Sequence, residues 1–160
     1  MDQIEYRTIT KEDLDIFKNL ILPEIYEELR YSESMESDYL CLAACTELKP
    51  VSVIIVDLED NGDLNMLSIW TDQEYRRQGI ASALLQKMTY VAYKLYDWED
   101  LQYGDDIILK TMYCLEGVFR EPFEKWLEKN AFTDFTIMKQ ADDTRPDICG
   151  ATAEIHFYRM

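Results

Sequence analysis

A short basic segment between a predicted strand and a predicted helix carries residues whose types and spacing suit phosphate binding. Its sequence is Arg76-Arg77-Gln78-Gly79-Ile80-Ala81-Ser82. Glycine has no Cβ, so the main chain at Gly79 would let a ligand approach closely. The first amides of a helix lack intrahelical partners and carry the positive end of the helix dipole. We therefore expect a pyrophosphate to bind here, with an ordinary surface turn as the alternative.

Two other phosphate-binding motifs do not fit this segment. A dinucleotide-binding turn would need a second glycine two residues before Gly79, where Arg77 stands instead. A P-loop would need glycine, lysine and then serine or threonine, a run that the sequence lacks. The segment must therefore be explained by a different strand–turn–helix unit.

Hydrophobic periodicity places this segment within an ordered series of elements. Strands are predicted at 4–10, 39–47, 51–58, 64–71, 107–114, 132–140 and 153–159. Helices are predicted from a Thr10 cap to Leu29, at 77–95, and from a first turn containing Pro122 to about Asn130. Pro23 is expected to split the first helical stretch, and residues 31–38 are expected to form a loop.

This order of elements, β-α-α-β-β-β-α-β-α-β-β, predicts an α/β (α+β) fold. Three consecutive strands followed by a strand–helix–strand crossover imply a mixed, mostly antiparallel sheet of about seven strands with helices on both faces. The length suits one domain, which we expect to span residues 1–160.

Residues 67–88 resemble motif A of the GNAT superfamily of N-acetyltransferases. In that family the phosphate turn is Gln or Arg, two residues, Gly, one residue, and then Gly or Ala, and here it stands as 76–81. The resemblance implies that backbone amides from Arg77 to Ser82 hold the CoA pyrophosphate. It also implies that the main chain of Ile69 and Thr71, on either side of Trp70, pairs with pantetheine like an added strand. Such pairing requires the fourth strand to diverge from the fifth.

The second half of the chain departs from the family's pattern. The family often ends its last helix with Tyr-Glu-Lys-x-Gly-Phe, and this chain has Leu127-Glu128-Lys129-Asn130-Ala131-Phe132. Leu127 replaces a tyrosine that often protonates the leaving thiolate in relatives. Asn65 stands near the position at which some relatives have a general-base glutamate. Tyr113 and Glu116, near the end of the fifth strand, are the remaining candidates for acid or base. The alternatives are a packed aromatic and a solvated carboxylate.

By this resemblance the chain is expected to be an acetyl-CoA-dependent N-acetyltransferase, with acetyl-CoA as the acyl-donor substrate. A primary amine of a small molecule or peptide would attack the thioester directly in a ternary complex, and positioning of the two substrates would supply much of the rate. Two alternatives stay open. A degenerate GNAT domain would bind CoA or a protein partner without turnover, and an unrelated α/β interaction domain would not bind CoA.

The charge balance bears on which partners are expected. Sixteen basic residues against thirty-two acidic residues give a formal net charge of −16. This charge disfavours a nucleic-acid partner. An acidic surface attracts cations such as an amine, and Glu33, Glu36 and Asp38 could receive one, although the charge could serve solubility alone. The absence of a long apolar run and of a basic, apolar N-terminus predicts a cytoplasmic protein without membrane contact.

The four cysteines, Cys41, Cys45, Cys114 and Cys149, match no zinc-binding spacing. We expect free thiols in a reducing compartment and no metal site. A homodimer is also allowed, since an exposed last strand could pair across a two-fold axis.

Overall fold

The computed structural model describes residues 3–59, 62–95, 106–115, 117–140 and 146–156. The strands are β1 (Glu5–Thr8), β2 (Tyr39–Cys45), β3 (Pro50–Leu58), β4 (Leu64–Thr71), β5 (Asp106–Tyr113), β6 (Thr133–Met138) and β7 (Ile148–His156). The α-helices are α1 (Pro23–Tyr31), α2 (Met35–Asp38), α3 (Ile80–Leu95) and α4 (Gly117–Lys129). Two 3-10 helices cover Leu14–Leu20 and Gln73–Tyr75.

The seven strands form one sheet in the order β1-β2-β3-β4-β5-β7-β6. Neighbouring strands are antiparallel except β4 and β5, which are parallel and are connected through α3. One hydrophobic core lies between the sheet and α3 and α4. A second lies on the opposite face, beneath the first 3-10 helix, α1 and α2. Residues of β3 enter both cores, so this strand is buried on both faces. The predicted mixed sheet with helices on both faces is confirmed.

The N-terminal helical stretch divides at Pro23, as predicted, because this proline occupies the first turn of α1. The α-helical cap predicted at Thr10 is wrong. Thr10 Oγ1 accepts a hydrogen bond from the Asp13 amide at 3.4 Å in a turn, and a 3-10 helix follows. The prediction of a loop at 31–38 is also wrong in part, because α2 forms where Met35 packs into the second core.

The starts of the two later helices also differ from the prediction. Helix α3 begins at Ile80 rather than Arg77, because Arg77 and Gly79 adopt left-handed φ angles of 63° and 76°. Helix α4 begins at Gly117, so Pro122 lies inside it rather than in its first turn. Proline cannot donate a backbone hydrogen bond there. The additional N-terminal turn contains Arg120, whose ion pair with Glu124 at 3.0 Å stabilises it.

Helix α4 ends with a left-handed residue, although that residue is not glycine. Ala131 has a φ of 70°. Its amide donates to the carbonyl of Glu128 at 3.1 Å, and the Phe132 amide donates to the carbonyl of Leu127 at 3.0 Å. These two bonds form a Schellman cap, which alanine completes at a steric cost that glycine would avoid.

The last strand was predicted wrongly in both extent and position. Strand β7 starts at Ile148 rather than at Ala153, and residues 157–160 lie outside the described part of the chain. Gly150, predicted in a loop, lies within β7, where a Cβ would come within 3.0 Å of Thr136 Oγ1. Strand β7 also lies between β5 and β6, so it is not the exposed edge proposed for a homodimer. At that end of the sheet the edge strand is β6. The bounds of the other strands agree with prediction to within one or two residues.

The four cysteines are free thiols. Cys41 and Cys45 lie on β2 and both contact the core beneath α1 and α2, as expected for residues four apart on one strand. No helix in the described ranges is both long and apolar enough to span a bilayer.

Burial of Cys41 gives the fold a specific sensitivity to alkali. Burial raises the pKa of the Cys41 thiol from 9.0 to about 12. Because the folded-state pKa lies above the unfolded value, this contribution to stability is complete below pH 9. It is lost as the pH rises from 9 through 12, at up to about 1.4 kcal/mol per pH unit. We expect Cys41→Ala to flatten the decline of the free energy of unfolding between pH 9 and 12, measured by urea denaturation.

Cys114→Ala, which removes an exposed thiol, is the matched control for this experiment. A Cys41→Ala profile as steep as that of the wild type would contradict the assignment. Tyr39, whose pKa burial and a hydrogen bond to Glu28 raise to about 12, should retain part of the slope in both variants.

Candidate functional site

The segment between β4 and α3 is a tightly bonded turn. The Asp72 amide donates to the carbonyl of Val51 at 2.7 Å, which fixes the turn to β3. The Asp72 carboxylate accepts from the Glu74 amide at 3.0 Å and so caps the short 3-10 helix. This hydrogen bond, followed by the charge of Lys49, holds the pKa of Asp72 below its usual value. Asp72 therefore stays ionised and keeps the turn in place.

Two left-handed residues then direct the chain into α3. They are Arg77 and Gly79, and a Cβ built on Gly79 meets no atom within 4 Å. The Gly79 carbonyl accepts the first helical hydrogen bond, from the Ala83 amide at 3.0 Å. The amides of Ile80, Ala81 and Ser82 precede that bond, so they have no acceptor within the helix. Open space at Gly79 and three amides without an acceptor in the helix therefore occur side by side, and the pyrophosphate site expected here stays a prediction.

Arg76 lies against the end of β4 rather than extending away from the turn. Its guanidinium lies 4.8 Å from the centre of the Trp70 ring, and its Nε donates to the Thr71 carbonyl at 3.0 Å. Trp70 is half exposed. The arginine therefore places a positive charge where the strand meets the phosphate turn. Gln78, the neighbouring predicted site residue, contacts the Glu74 carbonyl through its side-chain amide at 3.5 Å.

Strands β4 and β5 pair only at one end, as the family resemblance required. The paired residues are Leu64 with Leu109, Asn65 with Lys110 and Met66 with Thr111. At the last of these pairs the Thr111 hydroxyl donates to the Met66 carbonyl at 3.0 Å. Beyond Met66, β4 continues to Thr71 without a partner in β5 within the described residues. The two parallel strands therefore form a split that opens toward the phosphate turn.

The backbone of β4 presents alternate residues to this split. The Trp70 carbonyl accepts from Ser52 Oγ on β3, and the Asp72 amide donates to β3. Main-chain groups alternate in direction along a strand, so those of Ile69 and Thr71 face the side of β5. The bond from Arg76 to the Thr71 carbonyl is consistent with this direction. An extended ligand could therefore pair with Ile69 and Thr71 as an added strand would.

Tyr113 ends β5, two residues after Thr111, which is the last β5 residue paired with β4. It is 9% exposed, and its hydroxyl donates to Glu124 Oε2 at 2.6 Å. Burial, followed by this hydrogen bond, raises its pKa well above the usual range, so the phenol is neutral at physiological pH. Arg120 donates to the other oxygen of Glu124 and lies 3.7 Å from Asp147. Sequence reasoning missed Glu124 and Arg120, although their spacing of four on a helix signals an ion pair.

The other sequence candidates have different outcomes. Leu127, at the family's tyrosine position, is fully buried in the core beneath α3 and α4. Glu116 lies outside the described residues. Of the three acidic residues proposed to receive a cation, Glu36 accepts from the Lys11 amide at 3.3 Å and Asp38 accepts from the Ser34 hydroxyl. These two carboxylates therefore serve local contacts around α2.

Comparison with known proteins identifies the family and the fold of the chain. The family model described as the acetyltransferase (GNAT) family matches residues 6–104. No curated protein sequence matches the chain. The seven-stranded mixed sheet with helices on both faces matches the fold of solved GNAT-family acetyltransferases. The chain belongs to the acetyltransferase (GNAT) family.

Solved structures share this fold at low sequence identity. The ribosomal-protein-S18-alanine N-acetyltransferase of Escherichia coli is 15% identical, with a TM-score of 0.69 over 98% of this chain and 97% of that one. A GNAT-family acetyltransferase of Bacillus cereus is 17% identical, with a TM-score of 0.62 over 98% and 99%. The PaiA N-acetyltransferase of Thermoplasma acidophilum, solved in complex with coenzyme A, is 17% identical, with a TM-score of 0.56 over 96% and 99%.

Proposed function

We propose that this protein transfers an acetyl group from acetyl-CoA to a primary amine by direct attack within a ternary complex. The observation that carries the proposal is the split between β4 and β5, which opens onto the turn that precedes α3. A strand edge that can pair with an amide-containing chain adjoins a helix start that can hold a diphosphate. Pantetheine joined to a diphosphate has this combination of groups.

In this proposal the main chain supplies most of the binding. Amides from Arg77 to Ser82 would hold the diphosphate, and the backbone of Ile69 and Thr71 would pair with pantetheine. The amine nitrogen would attack the thioester carbonyl, forming a C–N bond as the C–S bond breaks, and one proton would pass from nitrogen to sulfur. A strand amide facing the split, such as that of Ile69, would polarise the carbonyl. The chain's contribution is then chiefly the placement of both reactants.

The acceptor is proposed to be a cationic small-molecule or peptide amine. The support is the net charge of −16, which would concentrate cations near the protein. Of the solved relatives, one acts on the alanine of a ribosomal protein, so an amine at a peptide terminus belongs in any acceptor screen beside polyamines. The proposed location is a soluble, reducing compartment such as the cytoplasm, in keeping with the four free thiols.

Acetyl-CoA binding provides the direct test of the proposal. At a ligand concentration about 100 times Kd, linkage would stabilise the protein by roughly 2.7 kcal/mol, which raises the Tm by roughly 5–10 °C. The Tm shift with acetyl-pantetheine measures the contribution of the thioester arm alone. The shift with ATP measures the contribution of nonspecific anion binding. No shift at millimolar acetyl-CoA would refute the proposal. Thiol release with a panel of polyamines, small amines and peptides would then separate an active enzyme from a domain that binds without turnover.

Tyr113 remains the candidate proton donor for the leaving sulfur. Its neutral phenol can donate a proton or hydrogen bond after turning from Glu124, but it cannot act as a resting base. We expect Tyr113→Phe to lower kcat about 100-fold with little change in the KM for acetyl-CoA, measured by thiol release. Tyr39→Phe is the matched control, because the Tyr39 hydroxyl also donates to a glutamate, Glu28, at 2.9 Å. Equal kcat values in the two variants would remove Tyr113 from the mechanism.

A further inference from the structure

The side chain of Ser82, in the first turn of α3, is hydrogen-bonded to residues at the end of α4. Ser82 Oγ accepts from Trp126 Nε1 at 3.1 Å and from Asn130 Nδ2 at 3.2 Å. These donors lie 44 and 48 residues away in the chain. Asn130 also donates to the Trp126 carbonyl at 2.8 Å, so both donors belong to one rigid turn at the end of α4. Ser82 is thus the point at which α4 contacts the proposed phosphate turn.

The hydrogen-bonding capacity of a hydroxyl determines what Ser82 can still do. A serine hydroxyl has two acceptor lone pairs and one donor hydrogen. Trp126 and Asn130 occupy both lone pairs, and no acceptor for the hydrogen occurs within the described part of the chain. Because helical side chains tilt toward the N-terminus, we expect the Ser82 side chain to be directed toward the turn whose amides lack partners. Its hydrogen is therefore available to an anion held by those amides.

A continuous series of aromatic contacts leads from Trp126 to the end of β5. Trp126 stacks on Phe123 with ring centres 5.9 Å apart. Phe123 meets the Tyr113 ring edge-on at 5.0 Å. The Tyr113 hydroxyl in turn contacts Glu124, one residue after Phe123 on α4. The packing of α4 and the orientation of Tyr113 are thus determined by the same contacts.

We propose that Ser82, Trp126 and Asn130 form a latch through which the bound diphosphate orders α4. This inference rests on the proposed acetyl-CoA site. The Ser82 hydroxyl donates to the diphosphate, and Trp126 and Asn130 orient that hydroxyl and strengthen its donation. Ser82 is a binding residue in this proposal, whereas Trp126 and Asn130 are positioning residues because they act only through Ser82. Diphosphate binding thereby steadies the helix that carries Phe123 and Glu124, and with them Tyr113.

The test compares binding of ADP, which carries a diphosphate without pantetheine, by Ser82→Ala, Trp126→Phe and the double variant. We expect Ser82→Ala to weaken ADP and CoA binding about tenfold, the loss of a hydrogen bond to a charged group. Trp126→Phe should weaken both about threefold. The double variant should bind no more weakly than Ser82→Ala, since residues acting through one hydroxyl are not additive. Pantetheine binding should not change in any variant.

Controls separate the latch from simple damage to the fold. Thr89→Ala removes another α3 hydroxyl, which donates within its own helix to the Gln86 carbonyl at 2.7 Å, and it should leave ADP affinity unchanged. Asn130→Ala replaces Trp126→Phe if the latter unfolds, with the same expected pattern. Unchanged ADP affinity in these α4 variants, or multiplicative losses in the double variant, would overturn the latch. If the wild type binds neither ADP nor CoA, the proposed function is refuted rather than the latch alone.

Discussion

Gly79→Asn is expected to abolish the stabilisation by acetyl-CoA while leaving the free protein folded. The φ of 76° at Gly79 lies in a region that asparagine tolerates better than other side chains do. A Cβ at this position meets no protein atom within 4 Å, so the added side chain enters space that the proposed diphosphate would occupy. We expect affinity for acetyl-CoA to fall at least about 100-fold, equivalent to roughly 2.7 kcal/mol. The ligand-induced rise in Tm would then disappear.

A second left-handed glycine provides the matched control. Gly62 has a φ of 90° in the turn between β3 and β4. Gly62→Asn carries the same backbone cost, about 1 kcal/mol, without placing a side chain in the proposed site. Both free variants should melt within a few degrees of the wild type. A Gly79→Asn variant that still gains stability from acetyl-CoA would show that the diphosphate binds elsewhere.

Leu127→Tyr is expected to destabilise the protein without raising its activity. The substitution restores the family's usual tyrosine, and from the sequence alone it would be designed to restore the acid. In the structure Leu127 is fully buried in the core beneath α3 and α4. Overpacking costs about 1–3 kcal/mol, and a buried hydroxyl without a partner costs about 1–3 kcal/mol more. Together these costs of about 2–6 kcal/mol should lower the Tm by roughly 4–24 °C, and kcat should stay at or below the wild-type value.

Two further variants at this position separate the two costs. Leu127→Phe adds the ring without the hydroxyl, so its difference from Leu127→Tyr measures the burial of the hydroxyl. Leu127→Met conserves volume and should cost less than about 1.5 kcal/mol. An increase in kcat for Leu127→Tyr, with a Tm close to that of the wild type, would mean that position 127 faces the reacting groups after all.

Local signals explain why much of the fold, and the turn proposed as part of the site, could be predicted. The turn before α3 was predicted because its signals lie within one stretch: a strand, a turn with Gly79 and a helix with small first residues. The bounds of β4 were predicted correctly because the sequence Asp-Asn-Gly-Asp directly before it favours a tight turn. The helix starts predicted from Pro122 and Thr10 were wrong because the local preference of each residue for the start of a helix was overruled. The start of α4 depends on the contacts of Arg120 with Glu124 and with Asp147. Only the contact with Asp147 joins residues that are distant in the sequence.

The sequence by itself therefore determined the family, the order of the elements and the turn that could hold a diphosphate, because each depends on neighbouring residues. Only the tertiary structure decided that Leu127 is core, that Tyr113 donates to Glu124 and that Ser82 accepts from Trp126 and Asn130. These contacts join residues that are distant in the chain, or they depend on how α3, α4 and the sheet pack. Burial and hydrogen-bond partners are properties of that packing, and they determine which side chains remain available for chemistry.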